Sequence, residues 1–184
     1  MTKLKFNTVA ICTPGQIETT NQMTAGKNKR QMIIQELTEK AKKYCAFSER
    51  CSFDLDQKLS RLGANAAARQ KIVKQLKKEK YVDDERFAKI FAKSKLKNNN
   101  WGKIKIRAEL HKRQIDQCII DKAVEEIDEN TYLDILKALY QKKHKELIKS
   151  NKDQIKDKTV AYCLQKGFET DLVFSVNSSL IINY

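Results

Sequence analysis

The chain has few of the residues that break helices and few of the features that mark secreted or membrane proteins. It holds one proline and five glycines in 184 residues, and no proline occurs after residue 30. Its apolar runs are only a few residues long, too short for a helix that crosses a bilayer. The first ten residues are too polar for the core of a secretory signal. These absences predict a helical protein of the cytoplasm.

Cysteine and histidine do not form a recognisable site. The five cysteines are scattered without a Cys-x-x-Cys pair, and the two histidines, His111 and His144, stand apart from them. A zinc finger and a disulfide framework are therefore not expected. There is also no glycine-rich phosphate loop. We predict no metal, no cofactor and buried reduced thiols, with Cys118 and Cys163 on core faces.

Beyond residue 30, apolar residues recur at helical spacing, and Leu, Lys, Glu, Ala and Gln dominate. This pattern predicts nine helices of about ten to eighteen residues. Asp83 or Asp84 is placed to cap the fourth helix, and Asp116 opens the sixth. Gly63 follows the second helix at a C-cap position. The first 30 residues show no sustained period and are predicted to be a flexible arm, with room for a short strand over 9–12.

Two parts of the chain repeat the same spacing. A basic corner over 110–115 is followed by apolar positions at 119 and 123, and the corner over 163–168 by apolar positions at 172 and 176. A helix trio cannot bury its apolar face alone, so consecutive trios should stack. We predict an all-α fold of three tandem three-helix repeats, over 31–80, 81–128 and 129–184. A plain nine-helix bundle remains an alternative.

Positive charge is concentrated in two stretches. The formal net charge is +14, and residues 86–113 hold ten Lys or Arg against one acid, Glu109. Residues 137–158 hold eight Lys against three acids. Clustering of this kind is the pattern expected for contact with nucleic-acid phosphates, although a solvated lysine-rich face is the alternative. The candidate binding residues are Lys93, Lys95, Lys97, Lys103, Lys105, Arg107, Lys112 and Arg113.

The segment over 101–112 is predicted to be a helix with two apolar strips and basic borders. Such a helix would be wedged between neighbours, with its long basic side chains reaching solvent. Trp101 is expected to anchor the helix start rather than to stack on a base. The first strip holds Gly102, Ile106 and Leu110, the second Trp101, Ile104 and Ala108, one border Lys105 and Lys112, and the other Lys103 and Arg107.

The acidic run Asp83-Asp84-Glu85 does not predict a metal nuclease. Adjacent residues do not converge on one side of a helix, and no further ligand stands at a suitable spacing. A helix cap with acids in the first turn explains the run. No motif in the chain requires an enzyme.

Several strings resemble the RecX family of bacterial regulators of the RecA recombinase. The central ones are YVDDERFA (81–88) and WGKIKIRAEL (101–110), followed by apolar residues at 115, 119 and 123. YCAFSERC (44–51) resembles the first repeat of the family and QKGFE (165–169) the third. The resemblance covers residues 31–180 in order. Gln114 stands where the family corner has glycine, which adopts a left-handed turn more readily.

This resemblance implies an elongated, curved module of three three-helix repeats without enzymatic activity. It implies a monomer that lies along the groove of the RecA–DNA filament and restrains ATP hydrolysis and strand exchange, with a place in DNA repair, recombination and the SOS response. Contact with single- or double-stranded DNA would run through phosphates. The alternatives are a stand-alone helix-turn-helix protein that reads base sequence and a charged helical scaffold without a nucleic-acid role.

Overall fold

The structure is a computed structural model that describes the backbone of residues 14–149 and 154–181, and the side chains of 28–149 and 154–179. All regular structure in these ranges is α-helical, which confirms the predicted fold class. The helices are α1 (Pro14–Phe47), α2 (Ser52–Arg61), α3 (Ala66–Lys78), α4 (Asp84–Asn99), α5 (Lys103–Lys112), α6 (Gln117–Glu125), α7 (Glu129–Lys149), α8 (Ile155–Gln165) and α9 (Thr170–Ile181).

The first helix begins earlier than the sequence predicts. α1 starts at Pro14, so residues 14–30 lie in a helix, and the flexibility of the predicted arm over 1–30 stays a prediction. Proline is compatible with the first helical turn, because its missing N–H would have no partner there in any case. The strand considered over 9–12 lies outside the described residues. The boundaries predicted at 80 and 128 stay predictions.

Capping residues set the ends of several helices where the sequence places them. The Asp83 carboxylate accepts hydrogen bonds from the backbone N–H groups of Glu85 and Arg86, both at 3.0 Å. Asp116 accepts one from the N–H of Cys118 at 2.9 Å. Gly63 follows α2 with a φ of +80°, the left-handed conformation that favours glycine at this position. These predicted ends are confirmed.

The helices pack as three consecutive trios. α1, α2 and α3 enclose one hydrophobic core, whose most buried members include Leu55, Leu59 and Ile72. The trios α4–α6 and α7–α9 share a second, continuous core. Tyr132 and Phe168 lie within this second core, and their ring centroids are 5.1 Å apart. The predicted stacking of three-helix units is therefore observed, with the second and third units fused through one core.

Polar contacts join the first unit to the second. Asp84 accepts hydrogen bonds from the backbone N–H and the hydroxyl of Ser52, both at 2.7 Å, and lies 2.8 Å from Lys77 Nζ. Asp83 alone caps α4, and Asp84 instead holds the first turn of α2. The sequence did not distinguish the two aspartates, because the role of Asp84 depends on Ser52, which lies 32 positions earlier in the chain.

Two positions predicted to be buried face solvent. Ile104 is 54% exposed and Ala108 is also exposed, so the second apolar strip of α5 is not covered. The first strip is buried as predicted, because the α8–α9 corner and the core cover only that side. Cys118 is exposed as well. The core face of α6 is centred on Ile120 and Val124, and Cys118 points away from it.

Candidate nucleic-acid interface

The turn between α4 and α5 determines where Trp101 lies. Asn100 ends α4 in the left-handed conformation, with φ +52° and ψ +50°. The backbone N–H of Trp101 then donates to the carbonyl of Lys95 at 3.2 Å. Asparagine tolerates this conformation better than most residues. The turn therefore returns the indole ring to the last turns of α4.

Two lysines lie against the Trp101 ring. Lys95 Nζ from α4 is 5.2 Å from the ring centroid, and Lys105 Nζ from α5 is 4.9 Å from it. Phe91 packs edge-on against the same indole, with centroids 6.4 Å apart. Trp101 is half-buried and contacts the core, as expected for an anchor of the helix start. The ring also holds two cations in place by cation–π contact.

The corner between α8 and α9 adds a third lysine. The N–H groups of Gly102 and Ile104 donate to the carbonyls of Lys166 and Gly167 at 2.9 and 3.1 Å. A side chain on Gly102 would collide with the Gly167 backbone, so this approach requires glycine. The contact places Lys166 beside Lys105, since Gly167 packs directly against Lys105.

Lys166 also lies next to an aromatic ring. Its Nζ is 5.5 Å from the centroid of Tyr162 and 3.4 Å from the carbonyl oxygen of Asn99. Lys95, Lys105 and Lys166 make no ion pair with any carboxylate in the described ranges. We call the surface formed by these three lysines with Trp101 and Tyr162 the Trp101 face. It spans the second and third units.

Three other predicted binding residues are neutralised by acids that lie far away in the sequence. Lys103 pairs with Glu129, and Arg107 pairs with Asp121. Lys93 lies 3.6 Å from Glu126. Within residues 86–113 only one acid opposes ten basic residues, but the fold brings these additional carboxylates from α6, its C-cap and α7. The Lys103 and Arg107 border of α5 therefore forms ion pairs within the protein.

The remaining predicted residues lie at the edges of this surface. Lys112 Nζ and Arg113 Nη1 both contact the Glu109 carboxylate, at 2.8 and 3.2 Å. The guanidinium carbon of Arg113 also lies 5.0 Å from the Phe91 ring centroid. Lys97 is exposed in the last turn of α4. The structure thus brings Lys95 and Lys105 together on the Trp101 ring, and Arg113 contacts the Phe91 ring on which Lys95 also lies.

Ion pairing keeps the neighbouring acids charged. Hydrogen bonds from Gln117 and Arg107 hold the pKa of Asp121 below its usual value. A hydrogen bond from Lys112, with another from Arg113, does the same for the pKa of Glu109. These carboxylates remain ionised near neutral pH and limit the positive potential on their side of α5.

Sequence reasoning did not assign Lys166 and Tyr162 to the site. The chain separates them from Lys105 by about sixty residues, and only the Gly102–Gly167 contact brings them together. The sequence did contain one signal for Lys166. The corner over 163–168 has the same spacing as the corner over 110–115, and both contain a basic residue at the fourth position. Alignment of the two corners puts Lys166 at the position of Arg113 and marks it as a corner cation. Its place beside α5 depends on the contact between Gly102 and Gly167.

Two other kinds of functional feature are not found in the described residues. Within them, no three His, Cys, Asp or Glu side chains are grouped so that they could hold a metal ion. No helix in the described ranges is both long and apolar enough to span a membrane.

The fold and the Trp101 face together define an all-helical protein of stacked three-helix units with a basic surface. Residues 83–124 match the family model for the second three-helix domain of RecX. Residues 130–176 match the model for the third. The chain belongs to the RecX family, as its sequence motifs indicate.

Curated relatives agree with this assignment, and a solved structure has the same fold. The Regulatory protein RecX of Oceanobacillus iheyensis is 30% identical over 105 residues, which cover 57% of this chain and 39% of the relative. That of Streptococcus uberis is 31% identical over 113 residues, covering 61% and 43%. This chain therefore spans about two fifths of either relative. The crystal structure of RecX from Lactobacillus salivarius matches with a TM-score of 0.70 at 19% identity, over 81% of this chain and 97% of that one.

Proposed function

We propose that this protein is a non-enzymatic regulator that binds the RecA–DNA filament and inhibits ATP hydrolysis and strand exchange by the recombinase. The Trp101 face is the main contact with DNA. The name of the relatives, Regulatory protein RecX, supports a regulatory role. The RecA partner is supported by the resemblance of the motifs quoted above to the RecX family, and the basic surface supports contact with DNA in the filament.

The observation that carries the proposal is the group of three lysines without carboxylate partners. Lys95, Lys105 and Lys166 come from three different helices or corners, yet they lie along one surface. Lys103 on the neighbouring border of α5 differs from these three lysines, because it pairs with Glu129. Lysines that are left unpaired and grouped are suited to phosphates, where binding releases condensed counterions. Lysine also favours backbone contact over reading of base edges.

The arrangement in tandem units suggests how binding would inhibit. Each unit adds length to a surface without forming a deep active-site pocket. A filament groove exposes DNA phosphates together with protein surface, so its ligand needs basic and acidic contacts over a long distance. A rigid ligand that contacts successive recombinase subunits would hinder the conformational cycle that they share. The fused core of the second and third units makes this part of the molecule suitably rigid.

The decisive experiment measures recombinase ATPase activity and strand exchange on single-stranded DNA, with and without this protein. The parent should inhibit both reactions. A variant with Lys105→Glu and Lys166→Glu should lose most of the inhibition, because it reverses two charges of the Trp101 face. The matched control carries Lys122→Glu and Lys145→Glu, which change the same net charge at exposed positions on α6 and α7.

Three outcomes separate the possibilities. Equal inhibition by parent and Trp101-face variant would show that this face is only solvated. Absence of inhibition by the parent, with DNA binding that depends on base sequence, would favour a stand-alone helix-turn-helix reader. Absence of both inhibition and salt-dependent DNA binding would leave a helical scaffold.

A further inference from the structure

A second basic site lies at the junction of the first and second units. A cavity of about 450 Å³ opens between the end of α1, helix α2 and the C-terminal end of α5. Three arginines line it, from the α1–α2 turn, the end of α2 and the end of α5, and Asp54 is the only acid among its lining residues. The three are Arg50, Arg61 and Arg113.

The arginines have donors that the protein does not use. The buried Nε atoms of Arg50 and Arg113 have no hydrogen-bond partner in the described structure. Arg113 Nε is 3.9 Å from the Asp54 carboxylate, beyond hydrogen-bond distance. A buried donor without an acceptor costs free energy. An oxyanion in the cavity would supply the acceptors that are lacking.

The positions of the guanidinium groups are held by the surrounding protein. The guanidinium carbon of Arg50 lies 4.4 Å from the ring centroid of Tyr44. Arg113 Nη1 donates to the carbonyl and the carboxylate of Glu109 at 2.9 and 3.2 Å. Because Glu109 already offsets the charge of Arg113, the uncompensated positive charge is that of Arg50 and Arg61. Neither of these two has an ion pair within the described part of the chain.

Electrostatics within the cavity agree with this geometry. Burial raises the pKa of Tyr44, and the charges of Arg50 and Arg61 act in the opposite direction. Both guanidinium groups are therefore within electrostatic reach of the Tyr44 hydroxyl. Lys58 Nζ, 5.7 Å from the same ring, adds a further positive charge.

We propose that this cavity binds a phosphate oxyanion of a nucleic-acid backbone, with Arg50, Arg61 and Arg113 as the recognition residues. Guanidinium groups present paired donors that match phosphate oxygens. A phosphate offers oxygens in several directions to arginines that approach from three helices or turns, whereas a carboxylate offers only two oxygens in one plane.

The position of the cavity favours a strand over an isolated anion. Arg113 contacts the Phe91 ring, and Lys95 lies 5.3 Å from the centroid of that ring and 5.2 Å from that of Trp101. The arginine cavity and the Trp101 face are thus connected by an unbroken series of cation and aromatic side chains. The identity of the strand rests on the proposed function, but binding of the phosphate group does not.

The first test uses pyrophosphate as the probe and the full chain. Calorimetric titration should give saturable binding to the parent. Arg61→Gln, an exposed position, and Arg50→Gln should each weaken it about tenfold or more, the effect expected when one charge-assisted hydrogen bond is removed. The variant with Lys122→Glu and Lys145→Glu, at exposed positions outside both basic sites, serves as the control and should bind pyrophosphate like the parent. Parent-like binding by Arg61→Gln and by a folded Arg50→Gln would overturn the site.

The second test identifies the source of the phosphate. A single-stranded oligothymidylate should displace pyrophosphate from the parent, and its affinity should fall in Arg50→Gln. Pyrophosphate binding that the oligonucleotide does not displace would overturn the assignment to a strand. Displacement by an acidic peptide but not by the oligonucleotide would show that the cavity binds carboxylates of a protein partner. The proposed function and the phosphate site can fail separately. The protein can fail to inhibit the recombinase while the arginine cavity still binds pyrophosphate, and the reverse can also occur.

Discussion

Single residues connect the units of this protein, and Asp84 is the most informative of them. Its carboxylate lies in the second unit but accepts two hydrogen bonds from Ser52 at the start of α2 and pairs with Lys77 of α3. Burial alone would raise the pKa of Asp84, but these contacts outweigh burial and hold the pKa below its usual value. Asp84 therefore favours the folded state when it is ionised.

Replacement of the two neighbouring aspartates should have different effects. Asp83→Ala removes the cap of α4 and should lower the free energy of unfolding by about 1 kcal/mol. Asp84→Ala leaves the partly buried N–H and hydroxyl of Ser52 without their acceptor and should lower it by roughly 1–3 kcal/mol. Urea unfolding followed by circular dichroism measures both. Equal, small losses would show that Asp84 is only a second first-turn acid of α4.

The lowered pKa of Asp84 also predicts a pH dependence. The contribution of Asp84 is fully present above the pKa of an unfolded aspartate and is lost as pH falls through the lower pKa of the folded state. Asp84→Asn should therefore reduce stability at neutral pH, while parent and variant converge in acid. Unfolding at a series of pH values tests this. A constant difference between the two down to strong acid would contradict the assigned ionisation.

At the scale of elements, the close approach between Gly102 and Gly167 positions α5 against the α8–α9 corner. A Cβ at Gly102 would meet the Gly167 backbone, which cannot move as a flexible side chain could. Gly102→Ala should therefore destabilise the fold by roughly 1–3 kcal/mol through overpacking. It should also separate Lys166 from Lys105 and weaken DNA binding.

Gly63 provides the matched control for that substitution. It has a φ of +80°, but a Cβ there would meet nothing within 4 Å. Gly63→Ala should cost only the strain of the left-handed backbone, about 1 kcal/mol, and should leave DNA binding unchanged. Thermal melts of the two variants measure the loss of stability, and DNA titrations measure the effect on binding. Equal effects on DNA binding would contradict the positioning role of Gly102.

The elements themselves were largely predictable, whereas the contacts between them were not. Local signals such as Asp83, Asp116 and Gly63 act within a few residues and identified helix ends correctly. Gln114 adopts the left-handed conformation, with φ +55°, although glycine, which the family corner has at this position, adopts it more readily. The pairing of Lys103 with Glu129 depends on packing of separate elements, which no local pattern encodes. For the same reason the sequence predicted Ile104 to be buried and missed Lys166.

At the scale of the whole molecule, the net charge of +14 is a poor guide to where binding occurs. Much of the positive charge in residues 86–113 is neutralised by acids of α6, its C-cap and α7. The Trp101 face groups three lysines, and the arginine cavity holds two arginines, that make no ion pair with a carboxylate in the described residues. Two basic sites in consecutive units, joined through Phe91, form a longer track for phosphates than either would alone.

This distribution predicts that two pairs of charge reversals on α5 and its neighbours behave differently. Lys105→Glu with Lys166→Glu should change stability little, since surface substitutions usually cost within about 0.5 kcal/mol each. It should make the salt dependence of single-stranded DNA binding shallower by roughly 0.7 for each phosphate that the variant no longer neutralises. Lys103→Glu with Arg107→Glu should instead destabilise the fold by about 1 kcal/mol or more, because it sets carboxylates beside Glu129 and Asp121.

Melting curves and DNA titrations from low to high salt measure both effects in the same samples. In the second variant the salt dependence should stay close to that of the parent, because Lys103 and Arg107 already pair within the protein. The opposite result is that the Lys103→Glu, Arg107→Glu variant has a shallower salt dependence than the parent, while the Lys105→Glu, Lys166→Glu variant keeps the salt dependence of the parent. This result would show that the Lys103 and Arg107 border of α5 contacts DNA. In that case the ion pairs to Glu129 and Asp121 would open on binding, and the Trp101 face would not be the surface that binds DNA.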